Sequence, residues 1–281
     1  MNNLVVRPKR RESLVMNYVV LSLLLVFTLG PIVVLVFNSF KTRAEIGKNP
    51  LGLPTELHWE NYSNAWKYGN FSTTTRNSVI LVTGTVTGTL FFSGMAAYSL
   101  AKLNLPGSMG FMVYLLIVST LPSQLFLVPL YFLWRTLGLV NTLFGLIVIY
   151  VATGAPFAIF LLRSYMLQIP NDFQDVARVD GANEWQIFVK VIVPLSWPGF
   201  LTVGLLSALG VWNEFFFALV FITKPKLFTV ITSYYNFTTR FSRDWSLTSA
   251  AAVMMIIPVL VIFLSLQRRF IAGITGGGLK G

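Results

Sequence analysis

Four of the ten acidic residues in this 281-residue chain, Asp172, Asp175, Asp180 and Glu184, fall in one stretch, Asp172 to Gly199, reading DFQDVARVDGANEWQIFVKVIVPLSWPG. Apolar runs flank it on both sides, so its carboxylates must face water and meet something. Other reactive groups are scarce. The chain has no cysteine, which excludes disulfides, thiol catalysis and thiolate metal sites. Its one histidine, His58, has no second histidine with which to share a metal and reads as a solvated loop residue. Glu214, in VWNEFFFAL, is the only acidic residue well inside an apolar run. A carboxylate at mid-membrane costs about 2.5 to 3.5 kcal/mol, so it must face the bundle interior, a cavity or a partner subunit. Asn213 beside it can add interhelical hydrogen bonds. Structural glue, a wall of the substrate path and an ion-coupling carboxylate are all open for Glu214, although an ion carrier ordinarily needs a second intramembrane charge. One carboxylate is not a catalytic constellation, and no phosphate-binding GxxxxGK[ST] loop is present, so the chain reads as non-catalytic.

The elements that must hold these residues are membrane helices. With 55% hydrophobic and 11% charged residues and a mean hydropathy of +0.70, the chain is an integral membrane protein. The net charge of +11 comes from basic residues scattered at the ends of apolar runs, which fits membrane flanks and not nucleic acid. Six runs have the length needed to cross a hydrocarbon core of about 30 Å: about 15–37, 77–101, 110–133, 142–162, 200–222 and 248–266. The second carries Gly84, Gly88, Gly94, Ala96 and Ala97, small residues that let helices approach closely. The third contains Pro122 and Pro129 and the fourth Pro156, where neighbours must satisfy the freed carbonyls. An outer loop follows the first span, with anchors at Trp59, Tyr62, Trp66 and Tyr68.

The expectation is an all-α membrane protein: an amino-terminal segment 1–14, a six-helix domain 15–267 that includes the hairpin 172–198, and a tail 268–281. Six spans place both termini on one side. Lysine and arginine number eleven inside against ten outside, so orientation rests on the clusters directly against helix ends, Arg7 to Arg11 and Arg268/Arg269, which put both termini in the cytoplasm.

Asp172–Val179 and Asn183–Ile192 can each form a short helix, joined at Asp180 and Gly181, where glycine permits a left-handed backbone. Trp185, Phe188, Val189 and Ile192 fall at helical spacing and predict one apolar face; Pro194 and Pro198 then redirect the chain. The result is an amphipathic hairpin along the inner surface.

DVARVDGANEWQIFVKVIVPLSWPG resembles the EAA loop of ATP-binding-cassette importer permeases. The matching positions are Asp175, Val176, Ala177, Asp180, Gly181, Ala182, Phe188, Ile192, Pro194 and Pro198. Asp175 stands where the family usually has Glu, and Val176 where it has Ala. NSVI, AYSLAKLNLPG, VPLYFLWRTLGLVNT, WNEFFFAL and FIAGITGGGLKG extend the likeness over nearly the whole chain, to the MalG-like subunit of maltose and multiple-sugar importers.

The resemblance implies a permease of a bacterial or archaeal inner membrane that binds no cofactor itself. It would pair with a MalF-like permease, rest on two ATPase subunits that hold ATP and Mg, and receive sugar from an extracytoplasmic binding protein. It implies ATPase coupling through Asp175, Ala177, Asp180, Gly181, Ala182, Phe188 and Pro194. It also implies an ATPase-contacting tail at Gly276, Gly277, Gly278 and Lys280, and a binding-protein contact at Tyr234, Tyr235 and Phe237. A solvated tail and interfacial anchoring are the plainer readings of those last two groups. Import of a polyol or glycerol phosphate suits the same scaffold; a self-sufficient secondary transporter would need repeats or several buried charges.

Overall fold

The computed structural model describes residues 11–278, which are helical throughout apart from turns and short loops. Most of the expected amino-terminal segment 1–14, with Arg7, Lys9 and Arg10, lies outside the described residues, as does Lys280. The chain forms two compact units, one from the residues up to Tyr68 with Phe237–Met254, the other from Gly69–Asn236 with the residues from Met255 onward.

In the first unit, α1 (Arg11–Ser39) is followed by α2 (Arg43–Lys48) and α3 (Glu60–Tyr68). From Leu14 to Leu29 the α1 surface touches little of this chain and is exposed. The loop after α1 closes around Lys41, which is fully buried and donates from Nζ to Asn38 Oδ1 at 3.1 Å, Asn49 O at 3.0 Å and Pro50 O at 3.4 Å. A buried ammonium needs such replacements for water. Phe40, Trp59 and Tyr62 pack beside it, with Phe40 and Trp59 edge to face at 4.8 Å. His58 is not a free loop residue: its Nδ1 lies 2.6 Å from Glu60 Oε1, and its side chain is only 24% exposed. That carboxylate's pKa is lowered, first by the Glu60 backbone N–H and then by His58.

The second unit is built on α4 (Phe71–Lys102), α5 (Ser108–Thr120), α6 (Leu127–Thr136), α7 (Leu143–Leu167), α8 (Asp172–Val179), α9 (Glu184–Ile187), α10 (Val193–Leu195), α11 (Trp197–Trp212) and α12 (Phe216–Phe221). At its centre α4, α7 and α11 pack together. The expected close approach on small residues is present: a Cβ at Gly84 would sit 2.6 Å from Ile147 Cδ1, and one at Gly88 2.8 Å from Val151 Cγ2. The remaining helices are α13 (Val230–Arg240) and α14 (Trp245–Gly278).

Two expected spans are interrupted. The run 110–133 is not one helix: α5 ends at Thr120, a 3₁₀ turn covers Ser123–Phe126, and the two arms bend by 88°. Leu121, forced toward extended backbone by the proline after it, has φ −82° and ψ 128°. Pro129, by contrast, sits in the first turn of α6, where no N–H donor is required. The run 200–222 breaks at Asn213–Phe215 between α11 and α12. Among the described residues, four helices, Leu14–Ser39, Phe71–Lys102, Leu143–Leu167 and Trp245–Ser265, are long and apolar enough to cross a membrane. Two bent pairs, Ser108–Thr120 with Ser123–Thr136 and Glu184–Leu195 with Trp197–Trp212, raise the number to six if each is one span.

Candidate functional site

The polar stretch after α7 folds back on itself. Asp172 and Asp175 lie in the first turn of α8, where carboxylates oppose the positive end of the helix dipole, and Arg178 in its last. The chain reverses at Gly181, whose φ of +84° belongs to the left-handed region that residues with a Cβ resist. Asn183 then starts α9 with a capping box: its side chain accepts from Gln186 N at 2.9 Å, and Gln186 Oε1 accepts from Asn183 N at 2.9 Å.

Beyond α9 the helix widens. Phe188–Ile192 forms a π-helical turn, and Val193 N bonds to Phe188 O. This corrects the expected apolar face. Ile187, Phe188 and Ile192 are buried, whereas Trp185 and Val189 point outward, 51% and 41% exposed. Of the four residues expected on one apolar face, Phe188 and Ile192 are buried, and Ile187 takes the place of Trp185 and Val189.

The hairpin residues singled out from the sequence thus divide into two sets. Phe188 is buried, with its ring 5.4 Å from that of Tyr98, and Ala177 and Ala182 pack against the same core. Phe188 therefore acts inward and is not offered to a partner. Asp175, Asp180, Gly181 and Pro194 are exposed. Around the exposed set lie Phe173, Val176 and Val179, with Val179 88% exposed. Val176, bulkier than the family's alanine, meets open space. The shorter carboxylate of Asp175 reaches Arg178 Nη1 at 3.0 Å, one turn along its own helix.

The sequence reading missed what ties the hairpin down. Arg178 Nε donates to Glu184 Oε1 at 3.0 Å, so one guanidinium joins both arms, and that bond raises the Arg178 pKa. Glu184 Oε2 accepts the hydroxyl of Tyr98, a buried residue of α4. Lys102, at the end of α4, donates to Ile169 O and to Asn171 Oδ1 at 2.9 Å. AYSLAK, which carries both residues, was the available signal.

A cavity of about 740 Å³ lies within the same unit, walled by α5, α6, α7 and α11, with Thr85 from α4. Glu214 is at its edge and holds the broken helix together: Oε1 accepts from Phe217 N at 2.9 Å, and Oε2 from Ala218 N at 3.1 Å and from Tyr150 Oη at 2.6 Å. It caps α12 and fastens it to α7, which supports the structural-glue reading while leaving the carboxylate on the cavity wall. Asn213 is exposed and donates from Nδ2 to Leu209 O at 2.8 Å, at the end of α11. Thr85 Oγ1, on the cavity wall, is buried without a partner.

Of the expected binding-protein contacts, Tyr235 is 48% exposed and lies 5.1 Å from Phe215, and Tyr234 is half-buried. Phe237 is 4% exposed and packs on Phe241 at 4.7 Å, so its ring belongs to the interior and not to a contact surface. Gly276, Gly277 and Gly278 are the last residues of α14, which runs past the expected end of the sixth span.

Comparison with known proteins places this arrangement. The family model described as binding-protein-dependent transport system inner membrane component matches residues 89–276. The chain is 36% identical over 264 residues to the probable ABC transporter permease protein YurM of Bacillus subtilis, covering 94% of this chain and 88% of that one. It is 32% identical over 272 residues to the diacetylchitobiose uptake system permease protein NgcG of Streptomyces coelicolor, covering 96% and 90%. The fold matches a chain in the crystal structure of a bacterial ABC transporter involved in the import of the acidic polysaccharide alginate, with a TM-score of 0.83, 25% identity and coverage of 94% and 100%. With more than half its length matched by the family model and relatives alike from end to end, the chain belongs to the inner membrane components of binding-protein-dependent transport systems, as an ABC importer permease.

Proposed function

We propose that this chain is the MalG-like permease subunit of an ATP-driven, binding-protein-dependent importer of oligosaccharides. The observation that carries the reading is the hairpin: it is packed inward through Ile187, Phe188 and Ile192, yet presents Phe173, Val176, Val179 and Trp185 to the outside around the Gly181 turn. Exposed apolar side chains gathered in an otherwise polar stretch mark an interaction site. The relatives' uptake of diacetylchitobiose and alginate supports the substrate class.

In this reading the membrane domain 15–267 has six spans, the third made of the two bent arms Ser108–Thr120 and Ser123–Thr136 and the fifth of about 200–222, and the hairpin 172–198 lies in the cytoplasm between the fourth and fifth. Segments 1–14 and 268–281 are cytoplasmic as well. Asp175, Asp180, Gly181 and Pro194 meet an ATPase subunit, while Ala177, Ala182 and Phe188 pass its motion into the core. Gly276, Gly277, Gly278 and Lys280 reach toward the ATPase subunits, and Tyr234 and Tyr235 toward the binding protein. Asn213 and Glu214 border the substrate path or the face toward a MalF-like partner. Two ATPase subunits bind ATP and Mg. Their closure favours one of two global states of the permease pair, and hydrolysis releases it, so access alternates by differential binding.

The test is reconstitution in liposomes with the partner permease, ATPase subunits and binding protein, and a panel of labelled di- to pentasaccharides. Uptake is expected only with ATP inside and binding protein outside. Uptake by this chain alone, without ATP, overturns the proposal.

A further inference from the structure

The hairpin's two ends are fastened to the same helix. Tyr98 donates to Glu184, where the second arm begins, and Lys102 holds Ile169 and Asn171, where the chain enters the first. Arg178 bridges Asp175 and Glu184, so the arms cannot part without breaking an ion pair. Tyr98 is 4% exposed, so its hydroxyl would be left buried without an acceptor if Glu184 moved away, which is costly. From Lys102, α4 runs back without a proline to Thr85 on the cavity wall.

We infer that Tyr98 and Lys102 are positioning residues that make the hairpin and α4 one rigid body, so that a displacement of the hairpin carries α4 and the cavity wall with it. Coupling between distant sites travels through such continuous elements when they have two discrete positions. The inference rests on the reading of the hairpin as the ATPase-docking element. It adds the route by which docking reaches the cavity, through two residues outside the hairpin.

The chain has no native cysteine, so spin labels can be placed at Thr83→Cys, exposed on α4, and Asp172→Cys, exposed on the hairpin and outside its docking face. In the assembled transporter, pulsed-resonance distances are measured without nucleotide and with ATP plus vanadate. The expected result is one narrow separation common to both states. In the Tyr98→Phe/Lys102→Met variant, which keeps the Tyr98 ring against Phe188, the separation should broaden and differ between the states while ATP hydrolysis persists. Lys102→Arg in place of Lys102→Met should narrow it again. A shift on ATP addition in the protein without these two changes, or an unaltered distribution in the double variant, overturns the inference alone. Failure of that protein to bind ATPase subunits overturns the functional reading and the inference together.

Discussion

The hydroxyl of Tyr150 donates to Glu214 Oε2 at 2.6 Å, joining α7 to the break between α11 and α12. The same carboxylate accepts two backbone N–H groups of α12, so an acidic side chain in an apolar run is held by three donors. Hydrogen bonds to a charged group contribute about 1.5 to 3 kcal/mol where a neutral one contributes about 1. Glu214→Ala should therefore lower the thermal unfolding midpoint of the purified transporter more than Tyr150→Phe. Equal midpoints for the two variants would remove the capping role.

Gly181 faces open space, so replacing it tests backbone conformation and not crowding. A left-handed backbone costs a residue with a Cβ about 1 to 2 kcal/mol, and asparagine bears it better than a β-branched residue. Gly181→Val should release the ATPase subunits on purification while membrane insertion continues, with Gly181→Asn closer to the parent. Full sugar-stimulated ATP hydrolysis by the Val variant would sink this account of the turn.

At the α4–α7 contact there is no room. A methyl at Gly88 meets Val151 Cγ2 at 2.8 Å, and a β-branched neighbour cannot swing its methyl far aside. Overpacking of this kind costs about 1 to 3 kcal/mol. Gly88→Ala should destabilise the protein, and Val151→Ala added to it should restore part of the loss. An additive double variant in thermal unfolding would refute the direct clash.

Lys41 holds the loop after α1 through Asn49 O and Pro50 O. Lys41→Met keeps the aliphatic stem but leaves both carbonyls without the charged donor. Limited proteolysis should then cut between residues 42 and 58 faster than in the parent, with other sites unaffected. An unchanged cleavage rate would show that Lys41 does not organise the loop.

Local features were legible in the residues themselves. Six apolar runs, small residues at Gly84 and Gly88 and a helical reversal at Gly181 each depend on neighbours a few positions away, which length, spacing and backbone preference report directly. Phe188 is an intermediate case. Its apolarity was plain, but that its ring lies in the core beside Tyr98 depends on packing against α4, which local pattern does not encode. Pro122 shows the same limit: a proline signals a weak point, and the surrounding packing determines whether the helix kinks or turns through 88°.

Composition and pattern alone determined that this chain is a helical membrane protein with a polar hairpin between apolar runs, because water and lipid sort residues by polarity whatever the partner. Tertiary structure alone decided that Glu214 caps a broken helix, that Phe188 points inward, and that Tyr98 meets Glu184 across 86 positions of chain. Such contacts follow from the packing of α4, α7 and α11, and no local signal specifies which distant donor a buried carboxylate will find.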